Sequence, residues 1–447
     1  MGFLDELTAS VTGVSTAPDD LAAAATDRSG TTPDGLPAAV VRASTVDEVR
    51  RTLRLAHDHG VPVVPRGAGT GLAGGAVAGT GSVVLDVSGL DRILSMDPVD
   101  EIAVVEPGVI TAELDRAAGE FGLRYAPDPA SAAISTIGGN IATNAGGMRC
   151  VKYGVTREAV LGLDVVLADG RLISTGRRTV KGVAGLDLTA LFVGSEGTLG
   201  VVVGATLRLR ALPAQTFTAV AAYDSVAAAA TACSELARAR REPSLLELLD
   251  GATLDVVDRA QGTDYSARGT ALVIAQADGA AADSEIAAIA EVLGKEATWL
   301  SAEGDPDRLL FARRMALPSI ERFGRALIED ICVPRSRLAD AFEGVGRIAR
   351  ERGVEIYSFA HAGDGNLHPI IGYDKAADRL PDAVREAGDD IFALALELGG
   401  TVTGEHGVGL LKRDWLAREA GADVLDVHAT LKSALDPRGI LNPGKGF

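Results

Sequence analysis

Three dense glycine clusters constrain the fold of this chain more than any other feature of its sequence. They span residues 67–75, 138–147 and 194–200, and each is interleaved with serine, threonine or asparagine. Glycine permits positive φ angles, and successive backbone N–H groups can then form an anion-binding nest. An isolated glycine pair is usually only a tight turn. Three such clusters in one part of the chain favour a cofactor that carries a diphosphate.

The first cluster also matches the dinucleotide fingerprint G-x-G-x-x-G at Gly69, Gly71 and Gly74. A predicted strand precedes it, as that fingerprint requires, but residues 75–81 are a poor helix by propensity. The pyrophosphate of a Rossmann fold needs a helix N-terminus at this point, so the Rossmann interpretation is disfavoured. The chain has no G-K-[S/T] sequence, which excludes a P-loop.

Segments 65–71, 138–147 and 194–200, in this order, resemble the FAD-binding domain of the vanillyl-alcohol oxidase/PCMH flavoproteins. The resemblance runs from about Pro37 to Pro213 and implies a non-Rossmann α+β fold of two subdomains. It implies that the pyrophosphate is wrapped by Arg66, Gly67, Ala68, Gly69, Thr70 and Gly71. It implies that the rest of FAD is lined by Pro127, Asp128, Ser131, Gly138, Gly139, Asn144, Gly194, Glu196, Gly197, Thr198 and Leu199. The first loop lacks the histidine or cysteine that attaches flavin in some relatives, so we expect non-covalent FAD.

Two of the six histidines, His361 and His368, flank Asp364-Gly365 between two apolar runs. Asp-Gly between apolar runs is a strong hairpin signal. If these two residues form the turn, the histidines face each other with Cβ atoms ~5 Å apart, which suits two imidazoles that share a metal. A longer loop would weaken this geometry without necessarily separating them. By itself the pair fits a metal site and a coincidence equally well.

A third segment, 403–409, places Glu405 and His406 between glycines. Alone it would indicate a solvent-exposed turn. Two histidines and one glutamate are, however, a familiar first shell for a catalytic divalent metal. His406 would then be available as a general base.

Segments 361–368 and 404–407 resemble the C-terminal domain of FAD-linked 2-hydroxyacid dehydrogenases. This group includes D-lactate dehydrogenase, the glycolate oxidase D subunit and D-2-hydroxyglutarate dehydrogenase. The resemblance covers Pro213 to Lys445 and implies an α+β substrate (cap) domain with an antiparallel sheet. It implies that His361, His368 and Glu405 bind a divalent metal, zinc or manganese, that His406 is the base, and that Arg313 holds the substrate carboxylate. We therefore expect an N-terminal segment 1–36, an FAD domain 37–213 and a substrate and metal domain 214–447, whose tail 435–447 packs on the FAD domain.

The implied reaction oxidises a 2-hydroxy acid to the 2-oxo acid, with metal-assisted hydride transfer to flavin N5. Stretches 327–330 and 369–371 are mostly apolar, which favours a monocarboxylate such as D-lactate or glycolate. The alternatives are a D-2-hydroxyglutarate dehydrogenase, a non-catalytic flavin subunit of a larger complex, and an oxidase that uses oxygen directly. Without a cysteine cluster for iron–sulfur, electrons should leave to a quinone, a cytochrome, an electron-transfer flavoprotein or a partner subunit.

Composition restricts the partners and the compartment. Asp and Glu number 61 against 43 Lys and Arg, giving a formal net charge of -18, which argues against nucleic acid. Three scattered cysteines fit a reducing compartment, and the acidic start of the chain is unlike a secretory signal. We expect a homodimer that is free in the cytoplasm or docked peripherally on the inner membrane.

Overall fold

The computed structural model describes residues 2–179, 181–302 and 310–447. The chain forms two compact units. The first unit is built from the chain up to Gly147, from Gly154–Leu212 and from Glu405–Phe447. The second is built from Met148–Tyr153 and Pro213–Gly404. The segment 214–447 is thus divided between the units, since residues 405–447 belong to the first.

The first unit contains two sheets and a short strand pair. In spatial order, the strands of the first sheet are β1 (Val14–Ser15), β2 (Ala39–Arg42), β4 (Val83–Asp86) and β3 (Val63–Arg66), and all but β1 are parallel. The antiparallel second sheet has the order β5 (Ile93–Asp97), β6 (Ile102–Val105), β10 (Val201–Arg208), β8 (Val160–Val166) and β9 (Leu172–Gly176). Strands β7 (Leu123–Arg124) and β11 (Arg210–Ala211) form the separate pair.

The second unit is organised on one large antiparallel sheet. Its spatial order is β15 (Trp299–Ser301), β12 (Thr216–Tyr223), β14 (Ala271–Asp278), β13 (Leu245–Asp250), β18 (Glu355–His361), β19 (Asn366–Tyr373) and β16 (Arg325–Ile328), with β17 (Ile331–Cys332) also paired to β19.

The helices of the described residues are given in chain order. They are α1 (Phe3–Ser10), α2 (Pro18–Ala24), α3 (Val46–His59), α4 (Thr111–Gly119), α5 (Ile137–Thr143), α6 (Cys150–Tyr153), α7 (Thr156–Ala159), α8 (Leu188–Phe192), α9 (Val226–Arg238), α10 (Gly251–Gln261), α11 (Ala282–Leu293), α12 (Phe311–Phe323), α13 (Leu338–Arg352), α14 (Asp382–Glu397), α15 (Arg413–Ala420) and α16 (Ala422–Leu435). Helices α6 and α9–α14 belong to the second unit.

Helix α3 shows how local sequence fixes an element of the first unit. Thr45 and Glu48 form a capping box at its start, and Gly60 ends it in the left-handed conformation. Its apolar face, which includes the fully buried Val49 and Leu53, belongs to the core that also holds the strands of the parallel sheet. The helix therefore supports the sheet from which the first glycine cluster emerges.

The C-terminal tail extends the parallel sheet of the first unit. The N–H of Val63 donates to the carbonyl of Ile440 at 2.8 Å, and the N–H of Asn442 donates to the carbonyl of Val63 at 2.8 Å. These bonds place the tail beside β3, next to the loop that follows Arg66. Residues from the last part of the sequence therefore help to build the first unit.

In the second unit, helices α10 and α12 cover one face of the large sheet. Their apolar side chains share a core with Leu249, Phe359 and Ile370. The predicted α+β class, with an antiparallel sheet in the C-terminal part of the chain, is confirmed. In the part of the chain that the structure describes, no helix combines the length and the apolar character needed to span a bilayer.

Candidate active site

The three glycine clusters converge within the first unit. A Cβ added to Gly67, in the first cluster, would overlap the hydroxyl of Thr136 and would lie 3.7 Å from the N atom of Gly139, in the second. In the third cluster, the N–H of Gly194 donates to the carbonyl of Ile141 at 2.9 Å. Segments far apart in sequence thus form one backbone-rich surface.

The first cluster follows β3 and forms a loop, and the Arg66 side chain at the start of this loop is held by hydrogen bonds. The guanidinium of Arg66 donates to the carbonyls of Thr26 (2.7 Å) and Ala24 (3.2 Å), and burial lowers its pKa. Gly69 has a φ of +69°, and a Cβ there would overlap this guanidinium. A side chain at Gly69 is thus excluded both by conformation and by space. Such a loop, open along its backbone and lined by a cation, fits a diphosphate.

The second cluster is organised by α5. The hydroxyl of Thr136 caps this helix by accepting the N–H of Gly139 at 3.2 Å. Asn144 ends it with a φ of +53°, and its side-chain oxygen accepts the N–H of Arg157 at 2.9 Å. The Asn144 side chain therefore holds a neighbouring backbone segment.

The remaining predicted FAD residues lie beside these clusters. A Cβ on Gly147 would overlap the carbonyl of Asp128, which brings the 127–131 loop against the second cluster. The carbonyl of Ser131 accepts the N–H groups of Ile134 and Ser135, both at 2.8 Å. Pro127, Thr198 and Leu199 are buried, whereas Ala68 and Gly194 are exposed.

Glu196 differs from the other residues predicted to line FAD. Its carboxylate accepts the N–H groups of Val408 (2.7 Å) and Gly409 (2.8 Å), and its burial raises its pKa. The side chain thus anchors the loop that carries the Glu-His pair.

Glu405 and His406 lie in the first unit, against the second glycine cluster. A Cβ on Gly146 would stand 2.5 Å from a carboxylate oxygen of Glu405, so a side chain at this position would require the Glu405 side chain to shift. The Nε2 atom of His406 lies 3.9 Å from the other oxygen of Glu405. The pair is half-buried, and it lies in the unit that carries the predicted FAD residues.

His361 and His368 lie in the second unit, and the predicted two-residue turn between them is wrong. The loop comprises residues 362–365, so His361 pairs with Asn366, and His368 pairs with Phe359. A carbonyl of Val333 lies where a Cβ of Gly365 would be, and Val333 N–H donates to the Gly365 carbonyl at 3.0 Å. This packing selects the longer loop. The histidines are nevertheless diagonal neighbours on one sheet face, with ring centroids 5.0 Å apart.

Glu247 joins the predicted substrate arginine to one of these histidines. It lies on β13 opposite His361 and is fully buried. Its Oε1 atom lies 2.7 Å from Nδ1 of His361, and its Oε2 atom accepts Nε of Arg313 at 2.5 Å. Sequence reasoning missed Glu247. A single charge within the apolar run Leu245–Leu249 was the available signal, because buried charges need specific partners.

Asp330 is a second buried carboxylate that the sequence did not single out. It accepts the side-chain amide of Asn366 (2.5 Å), the hydroxyl of Thr403 (2.8 Å) and the N–H of Gly404 (2.9 Å). One of its oxygens also lies 3.9 Å from Nδ1 of His368. Each of the two histidines therefore has a buried carboxylate facing its Nδ1 atom.

Two family models match the chain. The model described as "FAD binding domain" matches residues 37–176, and the model described as "FAD linked oxidases, C-terminal domain" matches residues 212–446. The glycolate oxidase subunit GlcD of Bacillus subtilis is 42% identical and covers 92% of this chain and 89% of its own. The D-lactate dehydrogenase of Archaeoglobus fulgidus is 35% identical and covers 91% of this chain and 90% of its own.

A solved structure has the same fold. The crystal structure of p-cresol methylhydroxylase with substrate bound superposes with a TM-score of 0.81 at 18% identity, covering 99% of this chain and 96% of that chain. At this identity the likeness concerns the fold alone.

Proposed function

The chain belongs to the family of FAD-linked oxidases, and from this premise we propose that it oxidises a small 2-hydroxy acid to the 2-oxo acid. It is an FAD-linked oxidoreductase, similar to proteins named as a glycolate oxidase subunit and a D-lactate dehydrogenase. One observation in the second unit carries the choice of substrate class. A buried carboxylate there joins a guanidinium, suited to a carboxylate ligand, to one of two neighbouring imidazoles.

In this proposal, Arg313 binds the carboxylate of the substrate. Its Nε atom donates a hydrogen bond to Glu247. Its guanidinium lies over the Phe359 ring, with Cζ 4.3 Å from the ring centroid. The terminal nitrogens can then pair with a planar carboxylate, for which the fork of a guanidinium is well suited.

We propose that His361, His368 and Glu405 bind a divalent metal, zinc or manganese. The adjacent rings of the two histidines and the carboxylate at each Nδ1 atom support the histidine part of this set. Glu405 is included because its motif matches that of the family. A divalent ion in such a set supplies Lewis acidity towards the oxygens of a hydroxy acid.

His406 is proposed as the base that accepts the proton of the substrate hydroxyl. FAD, when bound, supplies the two-electron acceptor for the hydride that leaves the substrate carbon. The FAD is proposed to be non-covalent, because the first glycine loop carries Ala68 and Gly69 where some relatives attach the flavin.

A monocarboxylate such as D-lactate or glycolate is the proposed substrate. On the sheet face of His368, Ile328 pairs with Ile370, which is fully buried in the apolar core. The nearby carboxylate of Asp330 already accepts hydrogen bonds from Asn366, Thr403 and Gly404. These surroundings favour a short apolar substituent over a second carboxylate, which argues against the alternative substrate D-2-hydroxyglutarate.

Electrons are proposed to leave to a separate acceptor, for which a quinone, a cytochrome, an electron-transfer flavoprotein and a partner subunit are the candidates. We also propose that the protein is a cytoplasmic homodimer, either free or docked peripherally on the inner membrane.

Dye reduction by the purified, FAD-loaded protein tests this function. The protein is mixed with D- and L-lactate, glycolate and D-2-hydroxyglutarate, and reoxidation of the reduced flavin in air is compared with reoxidation by the dye. We expect turnover with D-lactate or glycolate and faster reoxidation by the dye. Preference for D-2-hydroxyglutarate would contradict the substrate, faster reoxidation by oxygen would indicate an oxidase, and no turnover with any acid would favour a non-catalytic flavin subunit.

A further inference from the structure

We propose that Glu247 is a positioning residue that sets the tautomer of His361 and the orientation of Arg313 together. The proposal deepens the function proposed above, because it rests on the roles given there to His361 and Arg313. Glu247 lies at the centre of this arrangement, fully buried on β13 between the two side chains. It would couple the metal to the recognition of the substrate carboxylate.

The tautomer follows from the chemistry of the contact. A carboxylate has no hydrogen to donate, so the 2.7 Å contact between Oε1 of Glu247 and Nδ1 of His361 requires Nδ1 to carry the hydrogen. In this neutral tautomer the lone pair lies on Nε2, so Nε2 is the ring nitrogen that can ligate a metal. Histidines that bind metals usually donate their second N–H to a carboxylate or carbonyl in this way, which fixes the ring and makes it a better ligand.

The orientation of Arg313 follows from the other oxygen. Oε2 of Glu247 accepts Nε of Arg313 at 2.5 Å, while the ring of Phe359 supports the guanidinium from one side. The Arg313 side chain is 11% exposed, so it has little freedom to adopt another rotamer. The same carboxylate therefore restrains the group proposed to bind the substrate and the group proposed to bind the metal.

The test uses Glu247→Gln in the full-length, FAD-loaded protein, with Asp250→Asn as the matched control. Asp250 is the other acid of the same strand and is half-buried, but it caps α10 by accepting the N–H of Thr253 at 2.8 Å. We expect Glu247→Gln to keep its FAD, to bind zinc or manganese about 10- to 100-fold more weakly, and to show a KM about tenfold higher. Asp250→Asn should lose thermal stability and keep the metal affinity and the KM.

A spectroscopic measurement on metal-free protein tests the tautomer without reference to turnover. The six histidines are labelled with ¹⁵N, and His361 is assigned with His361→Gln. We expect a protected Nδ1–H on His361 in the wild-type protein and its loss in Glu247→Gln. An unchanged tautomer, metal affinity and KM in Glu247→Gln would overturn the role of Glu247. Failure of the wild-type protein to bind either metal would instead refute the proposed metal site, and the His361 signal alone would then decide the role of Glu247.

Discussion

Gly69 lies against the guanidinium of Arg66, so close that a Cβ atom at position 69 would overlap it. Arg66 cannot easily move away, because its guanidinium donates hydrogen bonds to the carbonyls of Ala24 and Thr26. The backbone of the first glycine cluster therefore keeps this conformation because residue 69 has no Cβ atom. The resemblance to the FAD-binding domain predicts that this loop wraps the pyrophosphate of FAD.

Gly69→Val should abolish FAD retention, because valine is excluded both by the positive φ and by the Arg66 guanidinium. The ratio of flavin to protein absorbance after gel filtration measures the effect. Gly119→Val is the control, since Gly119 is exposed and a Cβ there would have no neighbouring atom within 4 Å. Equal flavin content in both variants would contradict this placement of the cofactor.

The flavin itself should be released when the protein is precipitated with acid or heat. No histidine or cysteine lies in the first glycine loop to hold the cofactor covalently. Absorbance of the supernatant and of the washed pellet separates the two cases. Yellow colour that stays with the polypeptide would show covalent attachment.

His361→Ala, His368→Ala and Glu405→Ala should each lose bound metal and turnover while keeping FAD. Each change removes one of the proposed ligands and leaves the glycine clusters intact. Elemental analysis after gel filtration measures the metal, with His428→Ala, a histidine of α16, as the control. Metal content that is the same in all four variants would refute the ligand set.

His406→Asn separates a base from a fourth ligand. If His406 is the base, metal and FAD remain, and the rate of flavin reduction falls by ~10²–10⁴. The wild-type rate should also rise with pH through the neutral range, where imidazole loses its proton, and this dependence should flatten in the variant. Rapid mixing with substrate, followed at the oxidised flavin band, measures both. Loss of metal in the variant would indicate a ligand instead.

Because of Lys445, the free energy of unfolding of the first unit should vary with pH in the alkaline range. Burial lowers its pKa from 10.5 to about 8. Between these values the unfolded chain binds the proton and the folded chain does not, so the free energy of unfolding should rise with pH, by at most about 3 kcal/mol. Denaturant titrations of the FAD-free protein at pH 7.5 and 10.5 should show a smaller rise for Lys445→Met than for Lys295→Met, a change at an exposed lysine.

Elements with strong local signals could be predicted from the sequence. Helix α3 is such an element, because its start is marked by the capping box of Thr45 and Glu48 and its end by Gly60, and each signal acts within a few residues. The motifs also located the glycine clusters that converge in the first unit. Such features need no knowledge of distant parts of the chain.

Features that depend on distant contacts could not be predicted. Asp364-Gly365 is locally an excellent two-residue turn, but contact with Val333 selects a longer loop. The partners of Glu247 are 66 and 114 residues away, and nothing in its own segment specifies them. Glu196 was expected to line FAD because its motif does so in the family. Its hydrogen bonds to residues 408 and 409 are a property of the folded unit.

The return of the tail to β3 has a consequence for how the protein is made. The side chain of Asn442 donates to the backbone of Gly75 and Glu196, and its N–H donates to Val63, so two glycine clusters are held by a residue that lies 367 and 246 positions later in the sequence. Domains generally fold in the order in which they leave the ribosome. Here the first unit is completed only by a segment that is made after residues 213–404 of the second unit, and stable capture of flavin has to await that segment.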